Sequence, residues 1–181
     1  PFGVFAPLRG EYLALVADAP LPEASTEAWD IGTGSGVLAA ILAQRGVAHV
    51  RATDTNPRAL ACAAANLQRL GLADQVSLME RDLFPDGQAD LIVCNPPWLP
   101  AKPTSAIETA LYDPQHQMLR RLLNGAAAHL RPGGELWLIM SDLAEHLGLR
   151  DADFLPQTFQ ATSWQVLAHT STRPQHTKAT D

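Results

Sequence analysis

Short apolar runs rich in β-forming residues alternate with helical stretches along this chain, an order that suits a parallel sheet covered by helices. The predicted strands are residues 28–31, 49–53, 75–80, 89–94, 135–140 and 164–169. A helix over 8–17 precedes the sheet, and a second runs from about Gly36 to Gln44. Asn56-Pro57 opens a third, whose Ala-rich body reaches Leu70 and stops at Gly71. Met118, Leu119, Leu122 and Leu123 fall on one face of a predicted helix over 115–130, with Tyr112-Asp113-Pro114 as its starting turn or as a lid. Arg131-Pro132-Gly133-Gly134 reads as a tight turn into the fifth strand, and Ser141 or Asp142 as the cap of a short helix to Leu149.

With 181 residues and 46% hydrophobic content, the chain supports one well-buried core and one domain over 1–181: a leading segment over 1–20, a core over 28–169 and a loose tail over 170–181. It begins at Pro1, so it is expected to be a fragment of a longer polypeptide. The net charge of -6 offers no positive field for a polyanion. No stretch approaches the ~20 apolar residues of a membrane helix, and a soluble, cytoplasmic protein is expected. Cys62 and Cys94 lie in apolar surroundings, as packed thiols in a reducing compartment do. Six histidines show no ligand spacing, so no metal site is expected; Glu145 and His146 adjoin and point apart on a helix, and Arg120-Arg121 read as a solvated face.

The first predicted strand ends in Asp30-Ile31-Gly32-Thr33-Gly34-Ser35-Gly36-Val37, and a strand, a glycine turn and a helix in that order form a nucleotide-binding edge. The dinucleotide fingerprint G-x-G-x-x-G would need a glycine where Val37 stands, so the pyrophosphate reading fails on spacing. The Asp-x-Gly-x-Gly-x-Gly run instead resembles that of Rossmann-like S-adenosylmethionine (SAM)-dependent methyltransferases. Asp54 closes the second strand eighteen residues after Gly36, placed to accept both ribose hydroxyls, or simply to cap the helix at Asn56-Pro57. Asp82, with Leu83 beside it, follows the third strand where a carboxylate can take an adenine amino group; the alternative is an ordinary loop acid.

The fourth strand runs into Asn95-Pro96-Pro97-Trp98, at the sheet edge where open α/β folds bind ligands. Methyl transfer to an amide or exocyclic amine needs a nitrogen lone pair that is otherwise delocalised. The Asn95 side-chain carbonyl and the Pro96 backbone carbonyl can hold the two N–H bonds out of plane, while Pro97 stiffens the loop without adding a competing N–H. Trp98 gives a planar substrate a flat wall, or serves as a packing anchor behind a strand-ending turn.

These residues together resemble the class I SAM-dependent N-methyltransferases with an Asn-Pro-Pro-aromatic motif, most of all the protein-(glutamine-N5) methyltransferases of release factors and related small-domain methyltransferases. The resemblance covers roughly residues 5–140. It implies an α/β, Rossmann-like fold with a mostly parallel, seven-stranded sheet and helices on both faces. It also implies SAM as cofactor, with S-adenosylhomocysteine as product, and an amide or exocyclic amine nitrogen as acceptor. Asp30, Gly32, Thr33, Gly34 and Gly36 would line the methionine end, and Asn95 would border cofactor and acceptor alike. Trp98 stands where the glutamine enzymes usually carry Tyr, and no run after His169 supplies a seventh strand. Phe5 or Arg9 would border the site. Three functions remain open on the sequence: methylation of a glutamine in a translation factor or ribosomal component, which the acidic charge favours; methylation of an RNA or DNA amino group on an extruded base; and an inactive SAM-binding partner module.

Overall fold

The computed structural model describes residues 11–23, 25–100 and 112–172. Phe5, Arg9, the start of the predicted first helix and the end of the tail lie outside the described residues. Five strands, β1 (Glu27–Ile31), β2 (His49–Asp54), β3 (Val76–Glu80), β4 (Ala89–Cys94) and β5 (Leu130–Leu138), form one parallel sheet in the order β3-β2-β1-β4-β5. Six α-helices are described: α1 (Glu11–Asp18), α2 (Val37–Gln44), α3 (Pro57–Arg69), α4 (Gln117–Gly125), α5 (Leu143–His146) and α6 (Phe154–Ala161).

Alternation along the central strands sorts side chains to two cores. Ala28, Leu91 and Val93 face Val16 of α1, Leu38 and Leu42 of α2 and Leu67 of α3. Trp29, Ile31, Ile92 and Cys94 face Leu122 of α4 and Ala126 just beyond it. Helices therefore cover both faces, and β1 and β4 are buried almost throughout, which is why they read as continuous apolar runs. The winding reverses between β1 and β4, so their carboxyl ends flank the crevice where ligands bind in such sheets.

Four sequence expectations need correction. The Arg131–Gly134 turn is a bulge inside β5: the register jumps from Ala89↔Leu130 to Leu91↔Glu135. Gly133 is left-handed (φ 80°), a Cβ on Gly134 would come within 2.9 Å of the Asp90 carbonyl, and Arg131 pairs with Asp90 at 2.9 Å. Residues 164–169 form no strand; the Trp164 indole instead donates to the Leu123 carbonyl at 2.8 Å, and Val166 and Leu167 stand exposed. Five strands, not seven, are present among the described residues. Finally, the helix expected over 115–130 is broken, because Gln115 and His116 both adopt left-handed backbone (φ 56°). The buried Asp113 carboxylate accepts the Met118 and Leu119 N–H groups at 2.9 and 3.1 Å, so α4 starts beyond that kink, and a 3₁₀ turn over Ala126–His129 ends it. Two consecutive left-handed non-glycine residues cost on the order of 1–3 kcal/mol each.

Candidate active site

The glycine turn leaves β1 with Gly32, Gly34 and Gly36 all at positive φ, a path that side-chain-bearing residues rarely follow. Asp30, fully buried, anchors it: one carboxylate oxygen, Oδ2, accepts the Thr33 hydroxyl at 2.6 Å and the Ala39 N–H of α2 at 3.0 Å. The other, Oδ1, is buried and has no hydrogen-bond partner. Burial pushes the Asp30 carboxyl up to about 6, against these two hydrogen bonds, and the nearby Asp54 charge adds to the rise. A half-satisfied buried carboxylate beside an exposed Gly32 suits the ammonium end of an amino-acid-like cofactor, so these residues fit SAM.

Asp54 ends β2 against the same turn, accepting the Gly34 N–H at 2.9 Å through Oδ2 and the Asn56 N–H at 2.8 Å through Oδ1. Each oxygen keeps a lone pair for a further donor. Helix capping falls to Asn56, whose side chain accepts the Arg58 N–H. Thr53 ties the next loop in, donating to the Leu83 carbonyl at 2.7 Å; Leu83 itself is left-handed (φ 70°) and buried. Asp82 is exposed and paired with Arg121 of α4 at 2.8 Å, so Arg121 does more than solvate a helix face. Asp82, Leu83, Phe84, Arg121, Asn124 and His129 line a surface cavity of about 480 Å³.

Because Ile31 pairs with Cys94 across the sheet, Asn95 emerges next to the glycine turn. Pro96 is buried and Asn95, Pro97 and Trp98 are half-buried. The Trp98 indole N–H donates to the Asn95 side-chain oxygen at 3.0 Å, and the Asn95 amide N–H₂ donates to the Tyr12 hydroxyl at 3.4 Å. Tyr12 also meets Trp98 edge to face, with ring centroids 6.4 Å apart. The carboxamide is thus held from both ends, with one lone pair on Oδ1 left for a further donor. Burial, and secondarily the Asp30 charge, push the Tyr12 phenol up to about 12, so it stays protonated.

Tyr12 and Arg150 escaped sequence reasoning. The Arg150 side chain is 1% exposed, grips Glu145 with two hydrogen bonds of 2.9 and 2.7 Å, donates to the Ser141 carbonyl at 2.5 Å and reaches the Trp98 carbonyl at 3.4 Å. Glu145 and His146 do point apart, His146 facing Asp142. Among the described residues no cluster of His, Cys, Asp or Glu is arranged to hold a metal, and no helix is long and apolar enough to cross a membrane.

Known proteins with similar sequences bear on this geometry. The chain is 37% identical over 162 residues to the release factor glutamine methyltransferase of Cereibacter sphaeroides, covering 77% of this chain and 58% of that protein. It is 32% identical over 151 residues to the ribosomal protein uL3 glutamine methyltransferase of Neisseria gonorrhoeae, covering 75% of this chain and 50% of the relative. The chain therefore spans about half the length of these curated relatives. The crystal structure of ribosomal protein L11 methylase from Lactobacillus delbrueckii subsp. bulgaricus shares the fold, with a TM-score of 0.67 at 22% identity over 96% of this chain and 78% of that one. Residues 13–171 match the Methyltransferase small domain, and the chain belongs to that family.

Proposed function

We propose that this chain is a SAM-dependent N-methyltransferase whose acceptor is a planar amide, the side chain of a glutamine in a translation factor or ribosomal protein. The observation that carries this reading is the placement of a half-satisfied buried carboxylate, Asp30, and a clamped carboxamide, Asn95, at the ends of adjacent strands. The names of the relatives, release factor and ribosomal protein glutamine methyltransferases, support a protein acceptor, as does the net charge of -6.

SAM supplies an electrophilic methyl carbon on a sulfonium. Asp30 and the turn through Gly32, Thr33, Gly34 and Gly36 would hold its methionine end, Asp54 its ribose hydroxyls, and Asp82 and Leu83 its adenine edge, with Asp82 exchanging Arg121 for that edge. Asn95 Oδ1 and the Pro96 carbonyl accept the two N–H bonds of the acceptor amide, which favours a nitrogen lone pair directed out of the amide plane. Trp98 covers the flat face of the amide while its own N–H fixes the Asn95 oxygen. Tyr12 fixes the opposite end of that carboxamide. No strong base is required, because the nitrogen sheds its extra proton after methylation.

Transfer of tritium from labelled SAM into a cell extract, followed by separate protease and nuclease digestion, tests the reading. Counts lost to protease alone are expected; counts lost to nuclease alone would assign a nucleic-acid acceptor. Asn95→Ala is expected to lower transfer about 100-fold while calorimetric SAM affinity changes little. Full activity in that variant would remove the mechanism.

A further inference from the structure

We propose that the cavity between α4 and the α5–α6 connection is a second acceptor subsite, which takes an acidic side chain of the polypeptide substrate near the residue to be methylated. This rests on the polypeptide reading above. The cavity measures about 350 Å³, room for one side chain, and Pro100, Gln115, His116, Arg120, Arg150 and Phe154 line it.

Its position links it to the acceptor loop. Arg150 reaches the Trp98 carbonyl, and Pro100 lies two residues beyond Trp98, so a bound peptide can place one side chain on Trp98 and a near neighbour in the cavity. Two of its groups ask for a partner. Arg120 has no ion-pair partner among the described residues; its guanidinium lies over the Phe154 ring, 5.2 Å from the centroid. A cation held by its face keeps its N–H edge ready for a carboxylate. His116 is 5% exposed and rests on the other contact to Phe154, with centroids 4.4 Å apart, and its Nδ1 is buried with no hydrogen-bond partner. Burial, reinforced by Arg150 and Arg120, holds the His116 imidazole below its usual range; Asp113 and Glu145 oppose the shift. The ring is therefore neutral at pH 7 and able to offer an N–H. Asp151, the lining carboxylate, is itself exposed to water.

Among the described residues that line the cavity, Arg120 is the cation without an ion pair, and on a chain of charge -6 it makes no track for a phosphate backbone, which favours a carboxylate ligand. The kink at Gln115 and His116 gives the site its shape: two left-handed residues in succession set His116 in the lining, one turn of helix before Arg120.

NMR titration with N-acetylglutamate N-methylamide tests this, with the glutamine analogue and inorganic phosphate as comparison probes. The acidic probe is expected to shift the His116 ring and Arg120 Nε signals at millimolar concentration, at least about 5-fold more tightly than the neutral probe, and to lose that advantage in Arg120→Gln. Equal shifts from both probes, or none, would overturn the subsite, and tighter phosphate binding would assign it to nucleic acid. In a second arm, glutamine peptides carry one Glu at successive positions. At one position Glu is expected to lower KM relative to Gln, and Arg120→Gln to abolish the difference; methylation indifferent to Glu everywhere overturns the proposal. If no peptide is methylated, the acceptor reading fails, while the probe titration still decides the subsite.

Discussion

Asp30 carries opposed demands, because the burial that positions its carboxylate also penalises its charge. Its pKa is about 6 when folded and 3.8 as a free side chain, so the folded chain holds the proton more tightly between those values. Stability is therefore lost as pH rises from about 4 through about 6, and a two-unit shift corresponds to at most about 3 kcal/mol. Asp30→Asn escapes that loss. Urea unfolding at pH 4 and pH 7.5 is expected to show the variant gaining up to about 3 kcal/mol on wild type between the two conditions; a difference that ignores pH would mean that Asp30 titrates normally. Asp30, Asn95 and Trp98 were legible in the sequence because each sits in a spaced motif at the end of a strand. Tyr12 was not, because its partners Asn95 and Trp98 lie more than eighty residues away and one Tyr on a helix carries no pattern. Arg150 was hidden because the Trp98 carbonyl it reaches lies fifty-two residues back and a lone Arg beyond a short helix carries no pattern, and the bond between Trp98 and Asn95 is a matter of rotamer, which spacing does not encode.

At the level of helices and strands, one tight join is between the glycine turn and α3. Gly36 is left-handed (φ 81°), and a Cβ there would come within 3.0 Å of the Ala63 Cβ and 3.2 Å of its Cα. Gly36→Ala therefore adds backbone strain to overpacking, and a loss of about 2–3 kcal/mol is expected from thermal unfolding. Gly71→Ala, with open space around it (φ 71°), isolates the strain alone and should cost about 1 kcal/mol. Buried central elements were readable at nearly their true bounds: residues 89–94 form β4 as expected, since a strand buried on both faces is apolar throughout. Of the peripheral ones, β3 and α3 were readable too, but the C-terminal ones were not. Residues 164–169 have the composition of a strand, but no described strand pairs with them, and Trp164 is drawn onto α4. The helix α6 went unanticipated because Pro156 in its first turn reads as a breaker, although a helix tolerates Pro there.

Across the fold as a unit, the Asn95–Trp98 loop is braced from two remote stretches of chain, by Tyr12 before the sheet and by Arg150 after it. Arg150→Met keeps the bulk but strands Glu145 and releases the Trp98 and Ser141 carbonyls. A loss of about 3 kcal/mol is expected, read as a lower Tm, together with slower methyl transfer; an unchanged Tm would show that the loop stands without its brace. The order β3-β2-β1-β4-β5 has a kinetic consequence as well. Asp30 pairs with Val93, sixty-three positions further along (93 minus 30), so the two halves of the site meet only after a long loop closes. The entropy of that closure is spent before any local contact at the seam repays it, which places assembly of the site late in folding. A nascent chain halted before β4 would carry the glycine turn with nothing to face it.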